Sequence, residues 1–169
     1  MTSRTTPTAA TRRAREIIPV RQNITTVRIL ALDVGRRRVG LALSDTSATL
    51  ARPYKTLTVS DADAVERVVE EVRRLISDED GLAAVVVGLP KHLDGSPSEQ
   101  TKLVEQFIET LRQHVAVPLT TQDERLSSRE AECRLAIRAR DWKKRKALLD
   151  AAAAAVILQD YLDRGRARV

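Results

Sequence analysis

Hydrophobic positions change their period along the chain, and the changes mark the elements. Ile29, Leu30, Ala31 and Leu32 form a short apolar run that Gly35 ends. Val39, Leu41 and Leu43 then alternate with small residues as far as Ser44. A continuous run and an alternating one around a Gly-containing turn predict a hairpin with one strand buried on both faces. Pro53–Val59 predicts a third strand, placed at a sheet edge because proline cannot donate to a ladder. Over 62–77, Val65, Val68, Val69, Val72, Leu75 and Ile76 recur at helical spacing behind Asp61 as N-cap. Asp78–Gly81 ends that helix, and Leu82–Val87 reads as a buried strand. Two strands separated by a helix predict a right-handed crossover and parallel pairing. Gly88–Ser98 is a Gly-, Pro- and Ser-rich loop. Ser98 caps a helix over Thr101–His114, with Leu103, Val104, Phe107, Ile108 and Leu111 on one face. Pro118–Gln122 is a last strand leading into Asp123 and Glu124. Ser127 or Ser128 caps a helix through Ile137, and a final helix spans roughly 146–163. The order β-β-β-α-β-α-β-α-α predicts an α/β sandwich with a mixed central sheet flanked by helices.

Composition refines this picture. The chain has 169 residues, enough for one ordinary domain with its own core. With 2% aromatic residues, that core must be built from Val, Leu, Ile and Ala. The net charge is +6, but residues 1–28 hold six arginines against Glu16 alone and so supply +5 of it. The remainder sums to +1, and the basic character belongs to the N-terminus. Residues 1–24 lack hydrophobic periodicity and read as a disordered basic extension, with 25–169 as the folded domain. The extension has a vague transit-peptide composition and no apolar segment of the secretory kind, so a plain basic tail is the preferred reading. One cysteine, Cys133, excludes an intrachain disulfide and suits a reducing cytoplasm, the expected location. The longest apolar run, Ala147–Leu158, is too short to span a membrane and is interrupted by Asp150.

Three carboxylates stand out because of where they fall. Asp33 ends a buried strand, where an unpaired carboxylate is costly. Glu124 follows the last strand, which like the first is expected to be central, so both acids belong at the carboxyl edge of the sheet, where sites form in open α/β folds. Asp150, flanked by Leu148, Leu149 and five alanines, sits on a helix face made for packing and calls for a cation. Oxygen ligands from separate elements, with no Cys or His cluster, suit a hard ion such as Mg²⁺ or Mn²⁺. Two such ions activate a water and stabilise the leaving oxygen of a phosphodiester. Each acid also has a plain structural reading. Asp33 suits the turn at Val34–Gly35, Glu124 has Arg125 beside it, and Asp150 suits a helix first turn. Asp123 is the nearest rival to Glu124. Asp45 and Asp94 read as turn residues, and His92 and His114 have no partner at ligand spacing.

The stretches ALDVGRRRVGLALSD, VVVGLPKHLDGSPS, QDERLSS and LLDAAAAAVILQDYL, in this order and spacing, resemble the four blocks of the YqgF family. These are Holliday-junction resolvase-like proteins, also described as candidate pre-16S rRNA nucleases. The resemblance covers about residues 28–163. It implies a ribonuclease H-like fold and a divalent-metal nuclease, a hydrolase of phosphodiester bonds. It places the acidic positions on Asp33, Glu124 and Asp150 as catalytic residues and ligands of Mg²⁺ or Mn²⁺. Ser127 and Ser128 stand where threonines are usual, and His92 where an amide is common.

Basic residues flank the proposed acids. Arg36, Arg37 and Arg38 follow Asp33; Arg125 follows Glu124; Arg138, Arg140, Lys143, Lys144, Arg145 and Lys146 precede Asp150; and Lys91 lies in the loop after the fourth strand. Clustered cations beside metal-binding acids suit a phosphate backbone, with a solvated basic loop as the less favoured plain reading of 138–146. Trp142 suits stacking on a base or anchoring the last helix. The expected partner is nucleic acid, RNA in preference to DNA and pre-ribosomal particles included, with no membrane and a monomer or weak homodimer. The expected function is maturation of the 5′ end of pre-16S rRNA. The alternatives are a Holliday-junction resolvase on branched DNA and a non-catalytic nucleic-acid- or ribosome-binding factor. An actin-like ATPase relationship, invited by the DVG turn, is disfavoured because such proteins need two of these domains.

Overall fold

A computed structural model describes residues 27–90, 92, 94–123 and 142–166. Strands β1 (Arg28–Val34), β2 (Arg38–Ser44), β3 (Ala51–Thr58), β4 (Leu82–Leu89) and β5 (Leu119–Asp123) form one sheet in the order β3-β2-β1-β4-β5. Helices α1 (Ala64–Ser77), α2 (Glu99–Arg112) and α3 (Trp142–Arg166) flank it. β1 pairs antiparallel with β2 and parallel with β4, and β4 pairs parallel with β5, so the sheet is mixed as expected. The expected helix over Ser127–Ile137 and the N-terminal extension lie outside the described residues. Among the described residues, no helix is long and apolar enough to cross a membrane.

The strand–helix–strand unit around α1 does not pair its own strands. β3 stays beside β2 at the edge, while β4 crosses to the open side of β1. The reason lies in composition: β4 is almost wholly apolar and belongs in the interior, whereas β3 carries Pro53 and tolerates an edge. The ladder opposes Lys55 to Leu41 and Pro53 to Ala42, leaving Tyr54 as the extra residue of a bulge beside the proline. β5, expected as a central strand, is the other edge among the described residues.

Alternation along the strands divides the core in two. Leu30, Leu32, Val39, Leu41, Val85 and Val87 pack against Val68, Val72, Leu75, Val104, Phe107 and Leu111 of α1 and α2. The opposite face offers Ala31, Ala42 and Val86 to Ala154, Ile157, Leu158 and Leu162 of α3. Each fully buried Val or Leu contributes about 1.5–3 kcal/mol, so the first face supplies most of the stabilisation. The second is built from small residues and lets a helix come close. Gln159 holds α3 against the sheet edge: its Oε1 accepts from Ala51 N at 2.9 Å and its Nε2 donates to Thr49 O at 3.3 Å.

The caps follow the sequence with one correction. Ser98 caps α2 in a reciprocal box: its Oγ accepts from Thr101 N at 3.1 Å, and Thr101 Oγ1 accepts from Ser98 N at 2.8 Å. The residue preceding α1 is Asp63 rather than Asp61. Its carboxylate accepts from Ser60 Oγ at 2.8 Å and from Arg67 Nε at 3.0 Å instead of from the helix N–H groups. Ser60 closes the turn around Asp63, so the helix begins after Asp63 and Asp61 is left outside.

Candidate active site

Asp33 is the next-to-last residue of β1. Alternation places it on the face of Ala31, the face that α3 covers. Its ladder partner on β2 is Gly40. The turn beyond is closed by Gly35 N donating to Arg38 O at 2.9 Å, and by Gln100 Nε2 of α2 donating to Val34 O at 2.9 Å.

Asp150 arrives at the same place from the helix layer. A Cβ built on Gly40 would lie 2.0 Å from the carbonyl oxygen of Asp150 and 2.4 Å from its carbonyl carbon. The backbone of α3 at Asp150 therefore rests directly on the residue paired with Asp33, with no room for a side chain between. Asp150 is in the third turn of α3, which begins at Trp142. Helix-dipole stabilisation fades beyond the first turn, so the plain reading of Asp150 as a first-turn acid fails. Its carboxylate is instead bound by the Arg38 guanidinium of β2 in a charge-assisted contact. Both side chains are about a quarter exposed, 29% and 27%. Two acids from separate elements thus converge on Gly40, and Arg38 supplies positive charge to one of them.

The remaining expected site residues divide by what is described. Arg36 and Arg37 are exposed in the β1–β2 turn. Arg38 belongs to β2 rather than to the turn and is engaged by Asp150. Glu124, Arg125, Arg138, Arg140 and Lys91 lie outside the described residues. The backbone of 143–146 lies in the first turns of α3, but the side chains of Lys143, Lys144, Arg145 and Lys146 are likewise outside the description. Among the described residues, no three His, Cys, Asp or Glu side chains form a metal-holding group. Asp33 and Asp150 offer carboxylate oxygens only, a donor chemistry that fits a hard divalent cation rather than zinc or copper.

Other candidates have local explanations. Asp45 accepts from Thr49 N at 2.7 Å, from Leu50 N at 2.8 Å and from Ser47 Oγ. These bonds, the Leu50 amide foremost, hold its carboxyl down at about 2. Asp94 is lowered by the hydroxyl and amide of Ser96. Both are turn residues, as expected. His114 is exposed at the end of α2, with Nδ1 2.8 Å from Thr110 O. An open groove of about 630 Å³, lined by Lys55, Glu66, Arg67, Glu71 and Arg74, lies between β3 and α1. It is on the far side of the sheet from Asp33 and Asp150.

Three contributors were missed from the sequence. Gly40 was legible in hindsight: in RVGLALS it shares its face with Ala42 and Ser44, a row of small residues facing a close-packed helix. Gln100 gave no signal, because its bond to Val34 O joins positions far apart in the chain. Gln122 is 5% exposed beside Gly88, and its Nε2 has no hydrogen-bond partner among the described residues. Pairing with Gly88 puts it on the α3 face at the carboxyl end of β5.

The chain has clear relatives. A family model described as RuvX, Holliday junction resolvase, matches residues 27–164. A protein of Chloroflexus aurantiacus provisionally named pre-16S rRNA nuclease is 43% identical over 138 residues, covering 82% of this chain and 88% of that protein. Proteins given the same provisional name in Roseiflexus sp. and Natranaerobius thermophilus are each 39% identical, covering 82% of this chain and 96% and 95% of theirs. Among solved structures, RuvC of T. thermophilus in complex with a Holliday junction substrate superposes with a TM-score of 0.51 at 14% identity, over 82% of this chain and 96% of that one. That likeness identifies the sheet and its helices as a ribonuclease H-like fold. With the family model spanning nearly all of the described residues and relatives this similar, the chain belongs to the RuvX, or YqgF, family.

Proposed function

We propose that this protein is a divalent-metal-dependent nuclease that hydrolyses phosphodiester bonds in RNA, acting in maturation of the 5′ end of pre-16S rRNA. The observation that carries the proposal is the seating of Asp150 on Gly40, the ladder partner of Asp33. A carboxylate near the end of a buried strand and one on α3 are thereby gathered at one sheet edge. Asp33 and Asp150, with Glu124 as third member, are the residues that would hold Mg²⁺ or Mn²⁺. When bound, the metal supplies Lewis-acid activation of water and neutralisation of the departing oxygen. The rigid strand β1 fixes Asp33, and the packing of α3 fixes Asp150, so the acids meet substrate pre-positioned. Arg36 and Arg37, exposed in the adjoining turn, would contact phosphates. Lys91, Arg125, Arg138, Arg140, Lys143, Lys144, Arg145 and Lys146 are further basic residues of the sequence that would contact phosphates.

The names borne by the relatives support RNA as substrate. A second reading, resolution of branched DNA, is favoured by the description of the matching family. Purified protein with Mg²⁺ or Mn²⁺ should be offered a 5′-extended pre-16S rRNA fragment and a four-way DNA junction side by side. Cleavage of the RNA at its 5′ extension is the expected result. Paired nicks in the junction, with the RNA intact, would transfer the function to branched DNA. Cleavage of neither, with salt-sensitive binding retained, would leave a binding factor without catalysis.

A further inference from the structure

We propose that Arg38 is an exchangeable counter-ion of Asp150: its guanidinium holds the carboxylate while no metal is bound and gives it up when a divalent cation binds. This rests on the reading of Asp33 and Asp150 as metal ligands. Arg38 and Gly40 are two positions apart on β2 and face the same side, so Arg38 reaches α3 where Asp150 rests on the sheet. The pairing is side chain to side chain across 112 positions. Asp150 lies in the third helical turn, where the helix dipole gives it no help. With Asp33 brought up from the neighbouring strand, an assembled site without a cation would hold repelling carboxylates.

A tethered cation solves that problem without closing the site. It is already in place, so it competes with metal at no cost in association entropy. Yet it carries one charge where the metal carries two. The pair is also partly exposed, and partly exposed pairs are weak enough to be exchanged. Once released, the guanidinium remains beside the site as a fork of N–H donors matched to a phosphate. Metal binding and phosphate binding are thereby coupled through one side chain.

The test is Mn²⁺ affinity of the full-length, metal-free protein without nucleic acid, measured by calorimetry for wild type, Asp33→Asn and Arg38→Gln. Removing the competitor should tighten Mn²⁺ binding by about fivefold, the factor that corresponds to a pair of this exposure. Unchanged or weaker Mn²⁺ binding by Arg38→Gln, while wild type binds and Asp33→Asn does not, would overturn the exchange and leave the metal-site reading intact. No Asp33-dependent Mn²⁺ binding in wild type would overturn both. A second measurement uses wild type alone and does not depend on the variant folding. The Arg38 Nε–H resonance should shift as Mg²⁺ is titrated, saturating with the affinity of the site. An Nε–H signal unmoved at saturating Mg²⁺ would refute the exchange.

Discussion

Substituting Gly40 by alanine adds one methyl group at the point where the helix layer meets the sheet. The added carbon would lie 2.0 Å from the carbonyl oxygen of Asp150, 2.4 Å from its carbon and 3.0 Å from the nitrogen of Ala151. Ordinary contact begins near 3.4 Å, so α3 must retreat by about 1.4 Å. None of those atoms can rotate aside, because all belong to the backbone of a helix. Retreat also loosens Ala154 and Leu158 from Ala31 and Ala42. Overpacking of this kind costs about 1–3 kcal/mol, and a rigid obstacle places this case near the upper end. The melting temperature of a domain this size should fall by about 4–10 °C. Misplacement of a reacting group by an ångström costs on the order of 100-fold in rate, so cleavage should fall by about that factor even in protein that remains folded. Urea denaturation followed by circular dichroism gives the first quantity, and turnover well below the melting temperature gives the second. Gly35→Ala is the control: its added carbon would meet Arg38 O at 3.0 Å, which a shift of a few tenths of an ångström relieves. A Gly40→Ala protein as stable and as active as wild type would refute the claim that seating α3 on Gly40 positions the acids.

Other outcomes follow from single contacts. Ser98→Ala removes one half of the capping box on α2 and should cost about 1 kcal/mol in urea denaturation with no change in the slope; an unchanged midpoint would mean that the cap contributes nothing. Asp45 has a folded-state pKa of about 2 against an ordinary 3.8, a depressed value. Its contribution to stability is therefore complete above pH 3.8 and is lost as pH falls through about 2. The denaturation midpoint should drop over that window in wild type, and the Asp45→Asn protein should show a shallower drop.

The two central strands and both helices of the first layer were legible because their signals are local. An apolar run, an alternating run and two helical periodicities lie within single segments, and each element formed where its pattern stood. What was not legible depends on partners distant in sequence. The apolar run of β4 marks it for the interior, but that it joins β1 there depends on which ladder is left open once β1, β2 and β3 have paired, a matter of assembly. The start of α1 turned on Ser60, whose hydroxyl engages Asp63 rather than Asp61. Arg38 was grouped with Arg36 and Arg37 by adjacency, although strand alternation separates it from them and turns it toward α3. Asp33 and Asp150 were singled out from local signals, as acids in apolar runs, and the structure adds Gly40, the ladder partner of Asp33 on which the Asp150 backbone rests. Arg38, expected to contact phosphate, is engaged within the protein by Asp150.

The most direct measurement is cleavage of the 5′-extended pre-16S rRNA fragment by wild type, Asp33→Asn and Asp150→Asn, with Mn²⁺ and with EDTA. Cleavage by wild type with Mn²⁺ alone, abolished in both variants while their circular dichroism spectra and RNA binding persist, is the predicted result. Cleavage that survives EDTA, or that either variant retains at the wild-type rate, would contradict a metal-dependent centre built on Asp33 and Asp150.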